Sequence, residues 1–547
     1  MSSSAGAGRP ARRRIGALVV GIVMTLGIAA CTAAPRTTEA NVDGPKVTLE
    51  NTGAEVNQVT IGLPGSLSSL YPGVEDGILN YNVISTVQEG LVTRDAAGKM
   101  LPALAKSWTT PNDTTYVFTL RTDAKFQNGD PLTAEDVAFS IKEAADPTAS
   151  PGTYYYLQNM ASVAVTGADE VTVTTKHPDA GFLVNMSIAG AIAVTQKKFW
   201  QEHDGKVGTS QSLILGTGPY KVTEFVPDSH VTLERVDTWW GGVPKVKKIV
   251  IDFITDDNTR LVAAQKSNID IGFNVPITQL TQWQGIKNSR IEAVNDLSYV
   301  GLIFDQHVKP FNDIHVREAI AYSIDRDVIV KNLLRGLGRP ATAIMTPESL
   351  APSYTAAQAQ KLLAEVPQRT FDMKKAKAAL AESSVPQGFS VDLTYPNTGP
   401  QIGLAAQAIA ENLKTIGIKV SVSEVPIEQW LATIGDGKHG LGFMWYFSTT
   451  ADPSEINGYL LGPDNPNNFT DTTANDLLTS SAAEKDPKAR IASLLKLEDI
   501  NAEQVVNVPI WWGKSLTYFS NTIGMKGYSP YSFLTTWGPD LFAAKAK

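Results

Sequence analysis

One residue in 547 is cysteine, and it stands at position 31, directly behind a sixteen-residue apolar run. Whatever this chain folds into is therefore held without an intramolecular disulfide, a thiolate zinc site or an iron–sulfur cluster. Burial must hold it instead. With 43% apolar and 19% charged residues the composition allows that and excludes wholesale disorder. At roughly 150 residues per domain the length predicts three or four domains or subdomains. The histidines, His177, His203, His230, His307, His315 and His439, include no pair three to five residues apart, so the spacing of a histidine metal site is missing. No resident metal or cofactor is expected. The net charge is −8, and more negative still once Arg9, Arg12, Arg13 and Arg14 are set aside. A body this acidic lacks the basic face that phosphates need, which excludes nucleic acid as a partner.

Arg12-Arg13-Arg14 precedes the apolar run, which ends Ile28-Ala29-Ala30-Cys31. The run is shorter than the about 20 residues that cross a membrane, and suits the core of a secretory signal. Small residues before a cysteine resemble a lipobox. That pattern predicts a signal peptide over 1–30, cleavage before Cys31 and a lipid on its thiol. Acyl chains contribute about 0.8 kcal/mol per buried methylene, so a multiply acylated Cys31 anchors the body to a membrane. Residues 31–57 are small, polar and aperiodic, as in a tether. The body is expected outside the cytoplasmic membrane, beyond the reach of ATP.

The body alternates strand and helix patterns. Thr115–Arg121 alternates with period two, placing Tyr116, Phe118 and Leu120 on one face. Lys248–Ile254 is more uniformly apolar, as in a strand covered on both faces. Thr133-Ala-Glu-Asp136 reads as a capped helix start. Asp325 is placed to cap a helix over 326–334. Ala405, Ile409, Leu413 and Ile416 share a helical face, Gly417 suits its stop, and 418–422 reads as a strand. The class is α/β or α+β with mixed sheets.

Constellations for catalysis are missing. There is no Gly-x-Ser-x-Gly. Gly513-Lys514-Ser515 lacks the glycine of a phosphate loop, because Val508 holds its place. Gly216-Thr-Gly-Pro219 lacks the third glycine of a dinucleotide turn. Asp256-Asp257 and Glu135-Asp136 are adjacent pairs whose side chains diverge. The chain is not expected to be an enzyme.

Several blocks occur in a telling order. They are Glu89-Gly-Leu-Val92, Leu101-Pro-Ala-Leu-Ala-Lys-Ser-Trp108, Phe118-Thr-Leu-Arg121, Lys125-Phe-Gln-Asn-Gly129 and Pro131–Ser140. Gly216-Thr-Gly-Pro-Tyr220, Trp240–Lys245, Ile269-Asp270, Val316–Arg326 and Ile416–Val420 follow. From about residue 58 onward the chain resembles the bacterial solute-binding proteins of family 5, the oligopeptide- and dipeptide-binding lipoproteins of ATP-driven (ABC) importers. The resemblance implies a two-lobe, type II periplasmic-binding-protein-like α/β fold with a subdomain inserted in lobe I. The implied boundaries are 58–75 for the first segment of lobe I, 76–210 for the inserted subdomain and 211–300 for the second segment. Lobe II follows over 301–508, and 509–547 completes lobe I. The crossing strands are expected near 298–304 and 506–511.

The same resemblance implies a monomer that closes on a peptide or other small solute between the lobes and passes it to a permease, with energy from the partner ATPase. It places Leu67, Ser68, Trp445, Tyr446, Phe447, Ser448, Thr449 and Asp452 at the cleft. In the family a Trp-x-x-Asp-x-x-Asp-Pro-like stretch supplies the aspartate that takes a peptide's α-ammonium. Aligned on Asp452-Pro453, that aspartate is replaced by Thr449; aligned on Trp445, by Ser448. Three accounts remain. Asp452 or Glu455 supplies the charge, the peptide binds without a charged anchor, or the solute is an oligosaccharide, a metal chelate or a modified peptide. A non-transport regulator of the envelope is a further alternative.

Overall fold

The computed structural model describes residues 47–435 and 439–547. The predicted signal peptide, Cys31 and most of the tether lie outside them. From the end of that segment, Leu49–Asn51 pairs with Leu541–Ala546, and the first long strand begins at Val56.

Nine strands form the principal sheet. In chain order they are β1 (Val56–Leu63), β2 (Tyr220–Val226), β3 (His230–Arg235), β4 (Val246–Phe253), β5 (Ile271–Gly272), β6 (Ser289–Phe304), β7 (Arg339–Pro340), β8 (Leu441–Phe447) and β9 (Asn507–Ser520). Their spatial order is β8-β6-β9-β5-β1-β4-β3-β2, with β7 on β9. β1 lies parallel to β4 and β5, and the other pairs are antiparallel. The sheet is therefore mixed. β4 departs from its expected double covering. Val246, Ile249, Ile251 and Phe253 are buried, but Lys248, Val250 and Asp252 are half-covered. The polar residues at 248 and 252 keep that face wet.

A separate four-stranded antiparallel sheet runs Ala105–Asn112, Thr115–Leu120, Glu170–Thr175, Met160–Gly167. Tyr116, Phe118 and Leu120 are buried as their alternation requires. The helix Ala134–Ala144 starts on a capping box: the Thr133 hydroxyl accepts the Asp136 N–H, and the Asp136 carboxylate accepts the Thr133 N–H. Such a cap contributes about 1 kcal/mol. Asp325 caps as expected, but only the turn Arg326–Val328 is α-helical before a wider turn over Ile329–Leu333. The helix Pro400–Lys414 buries Ala405, Ile409 and Leu413, then Gly417 turns the chain at φ +99 into the strand Lys419–Val425. Among the described residues no helix is long and apolar enough to cross a membrane.

Two large cores flank β6 and β9. One holds Tyr299, Leu302, Val508 and Trp512 with the helices of 314–504. The other holds Leu297 and Phe519 with β1, β4 and Trp537. Each of the two strands thus passes from one core to the other. The β6–β9 register shifts between Asn295 and Tyr299, where the passage occurs on β6. Buried Asp296 secures it. Its carboxylate accepts the Ser298 N–H and hydroxyl at 2.9 and 2.6 Å, and the Ser515 hydroxyl at 2.7 Å. Gly513 lies against this knot with no room for a side chain: a Cβ there would stand 2.0 Å from Ser298 Oγ.

Glu89 is a second buried carboxylate. Thr217 Oγ1 and Trp240 Nε1 donate to it at 2.9 and 3.0 Å. Burial pushes its pKa up to about 7, against the pull of those donors. The folded state therefore holds a proton that the unfolded chain releases near pH 4.5. That contribution to stability is full below pH 4.5 and is lost as the pH rises through 7.

Two predictions follow from this packing. Gly513→Ala should cost about 1–3 kcal/mol by overpacking, read as a lower denaturation midpoint, and adding Ser298→Ala should recover part of it. Glu89→Gln, compared with the wild type by thermal melts from pH 4 to pH 8, should be relatively more stable at pH 8 than at pH 4, by up to about 3 kcal/mol. An unchanged difference across that range would mean that folding leaves the Glu89 pKa where the unfolded chain has it.

Candidate functional site

β8 delivers the sequence-predicted stretch to the junction of the two cores. Its register sets Phe447 opposite Ser298, Tyr446 opposite Tyr299 and Trp445 opposite Val300. The chain then leaves the sheet through Ser448–Ala451, and Ala451 takes a left-handed φ of 50. A non-glycine residue there stores about 1–2 kcal/mol of strain. Asp452 caps the next helix, Pro453–Leu461, by accepting the Ser454 N–H.

Both acidic groups of this stretch are engaged. Arg490 donates to the two Asp452 oxygens at 2.7 and 2.8 Å. Burial raises the Asp452 pKa, but the Arg490 charge and hydrogen bonds outweigh it and hold the carboxyl at about 2. Glu455 receives Tyr446 Oη at 2.9 Å, Ser448 Oγ at 2.5 Å and the Thr450 N–H at 3.1 Å. The Thr450 hydroxyl also donates to it. Burial keeps its carboxyl above the ordinary range despite these donors.

The aromatic cluster divides between the cores. Trp445 and Tyr446 pack against the core that holds Tyr299, and Tyr446 lies 5.5 Å from the Tyr459 ring. Phe447 packs against the other core. Leu67 is buried in that same core. Ser68 is exposed and bonds Glu75 through its N–H and hydroxyl at 2.8 and 2.7 Å.

Of the eight predicted cleft residues, Thr449 alone lines the cavity at this junction. Its walls come from four separated segments: Thr93-Arg94, Ser187–Ala189, Thr449, and Tyr531 with Leu534-Thr535. Thr449 Oγ1 is 2.9 Å from Tyr156 Oη, whose ring lies 4.2 Å from that of Tyr155. Arg94 ends the short strand Val92–Arg94, paired with Met100–Pro102. The turn between them is tied by Asp95, which accepts the Ala97 and Lys99 N–H groups. Gly98, at φ +82, closes that turn against Tyr531, whose ring atoms would meet a Cβ at 2.9 Å. Tyr531 Oη donates to the Glu348 carbonyl at 2.7 Å. Arg94, Tyr156 and Tyr531 were not among the residues expected from sequence. Arg94 stands just past the Glu89–Val92 block, where the pattern speaks only of fold. Among the described residues no group of three or more His, Cys, Asp or Glu is arranged to hold a metal ion.

The family model for bacterial extracellular solute-binding proteins, family 5 Middle, matches residues 99–468. The glutathione-binding protein GsiB of Shigella flexneri serotype 5b is 28% identical over 403 residues, spanning 73% of this chain and 76% of that protein. DppA of Helicobacter pylori, solved with the peptide STSA, superposes with a TM-score of 0.77 at 22% identity, over 90% of this chain and 99% of that one. AgaA of A. tumefaciens R10, solved with agropinic acid, gives 0.76 at 24% identity, again over 90% and 99%. At such identities the solved structures establish the fold, the two-lobe type II architecture of periplasmic binding proteins. Proteins of the matched family are extracytoplasmic, are not enzymes, and bind small solutes for ABC importers together with permease partners. By the extent of that match, this chain belongs to the bacterial extracellular solute-binding proteins of family 5.

Proposed function

We propose that this chain captures short peptides or peptide-like solutes at the cavity beside Thr449 and delivers them to its permease, acting as a lipid-anchored monomer. The observation that carries this reading is the make-up of the cavity walls. Four segments far apart in sequence meet there, beside the strands that pass between the cores. A solute in contact with all four stabilises the closed arrangement, and closure buries it. β8 has β6 as its one strand neighbour among the described residues and leads directly into Thr449. The names of the relatives, a glutathione-binding protein among them, fit the same class.

A second reading is a carboxylated non-peptide solute. It is favoured by the acidic groups already being used: Arg490 holds Asp452, and four donors hold Glu455. Neither is free to receive an α-ammonium, and an ammonium buried without a counter-charge is costly.

Mass spectrometry of solute released by denaturing the purified protein separates the two readings. A ladder of short peptides is the expected result. A single non-peptide acid would establish the second reading. The lipid anchor is tested by Cys31→Ala, which should move the protein from the membrane to the soluble fraction of cells; retention on the membrane would refute the anchor.

A further inference from the structure

Arg94 is the one charged residue that lines the cavity. Every other arginine among the described residues, the exposed Arg335 apart, donates to a carboxylate or a backbone carbonyl. The half-buried Arg94 has neither kind of partner. Its guanidinium lies 5.8 Å from the centre of the Tyr531 ring, inside the cavity wall. The acidic residues whose fields reach it most strongly from the far side are Asp452 and Glu455. Arg490 already neutralises Asp452, and burial favours the protonated form of Glu455. An arginine stays charged, and here no carboxylate or carbonyl of the protein shares that charge.

The rest of the wall is neutral. Thr93, Ser187, Thr449 and Thr535 bring hydroxyls, while Ile188 and Leu534 bring apolar surface. The Arg94 backbone is fixed by the Asp95 turn, and the Tyr531 ring by its bond to Glu348. The cavity is thus a preorganised cation in a ring of hydroxyls. A guanidinium fork matches a carboxylate through two parallel N–H···O bonds.

We propose that this cavity is a carboxylate subsite, in which Arg94 takes a carboxylate of the transported solute and orients the molecule in the cleft. The proposal rests on the reading of the cavity as the solute site. It deepens that reading: the solute enters with an anionic group, not an α-ammonium, toward Thr449.

The test uses the full-length protein in detergent and measures binding by calorimetry. The probes are glutathione, agropinic acid and a complete dipeptide library, each also prepared with its carboxylates converted to amides. Free acids should bind, and their amides should bind about tenfold to a hundredfold more weakly, the loss of one charge-assisted pair. Arg94→Met should weaken the acids by the same factor and leave the amides unchanged, and Arg94→Lys should restore part of the loss. Thr449→Asp, which sets a carboxylate in the same cavity, should weaken the acids as well. Labelling the wild type with phenylglyoxal gives a readout free of any folding defect: Arg94 should react in the empty protein and be protected by a bound acid. Acids and amides bound equally well, or Arg94→Met without effect on the acids, would overturn the carboxylate subsite and leave the cleft as the solute site. No binding of any probe by the wild type would overturn the reading of the solute class, and the subsite with it.

Discussion

The antiparallel pair β6–β9 is the constraint on which the rest of the molecule depends. Both strands contribute to both cores, and they do so without a disulfide to reinforce them. Over 289–295 and 514–520 the pair continues the sheet toward β5 and β1, and over 299–303 and 507–512 it packs in the other core. The change of register between Asn295 and Tyr299 lets one ladder serve two packing environments. It costs regular hydrogen bonds there, and Asp296 with Ser298 and Ser515 replaces them by side-chain bonds. Gly513 is required beside this knot because there is no volume for anything larger. β8, and with it Thr449, is hung on the same ladder through its register with β6.

Several buried carboxyl groups are answered inside the protein. Asp452 has Arg490, Glu455 has three hydroxyls and an N–H, and Glu89 has Thr217 and Trp240. Satisfied networks of this kind rigidify the segments they join. They also explain why the acidic residues nearest the predicted cleft are poor candidates for solute contacts. A carboxylate with two guanidinium bonds would have to surrender one before receiving a ligand. Against this background an arginine with no carboxylate or carbonyl to bond is conspicuous.

The fold was legible in the sequence to the extent that its signals are local. The alternation at Thr115–Leu120, the box at Thr133 and Asp136 and the face Ala405, Ile409, Leu413 each follow from a few neighbouring residues. The ordered blocks added the family and its two-lobe architecture. What failed locally failed for a tertiary reason. The helix after Asp325 breaks into an α turn and a wider turn, and β4 wets one face because Lys248 and Asp252 sit there. The cavity was legible at one position, Thr449, because a motif marked it. Arg94 and Tyr531 were hidden because no spacing links residues 94, 188, 449 and 531; only the folded chain brings them together. Trp445, Tyr446 and Phe447 illustrate the converse. Three consecutive aromatics suggest a stacking surface, but Trp445 and Tyr446 pack against one core and Phe447, at the end of the strand, against the other.

A binding protein for an importer must close when loaded and stay open when empty, since the permease should meet only loaded molecules. An unpartnered cation in the cleft bears on both states. Arg94 is half-buried, with only hydroxyls and the Tyr531 ring beside it. At the proposed subsite a solute carboxylate adds two hydrogen bonds where the walls meet, and only an arrangement that brings the walls together offers them all. A ligand shifts a conformational equilibrium only by its differential affinity for the two states. One arginine set where the walls meet gives a carboxylated solute such a difference and gives its neutral analogue none. The same residue that chooses the charge of the solute thereby makes closure depend on it.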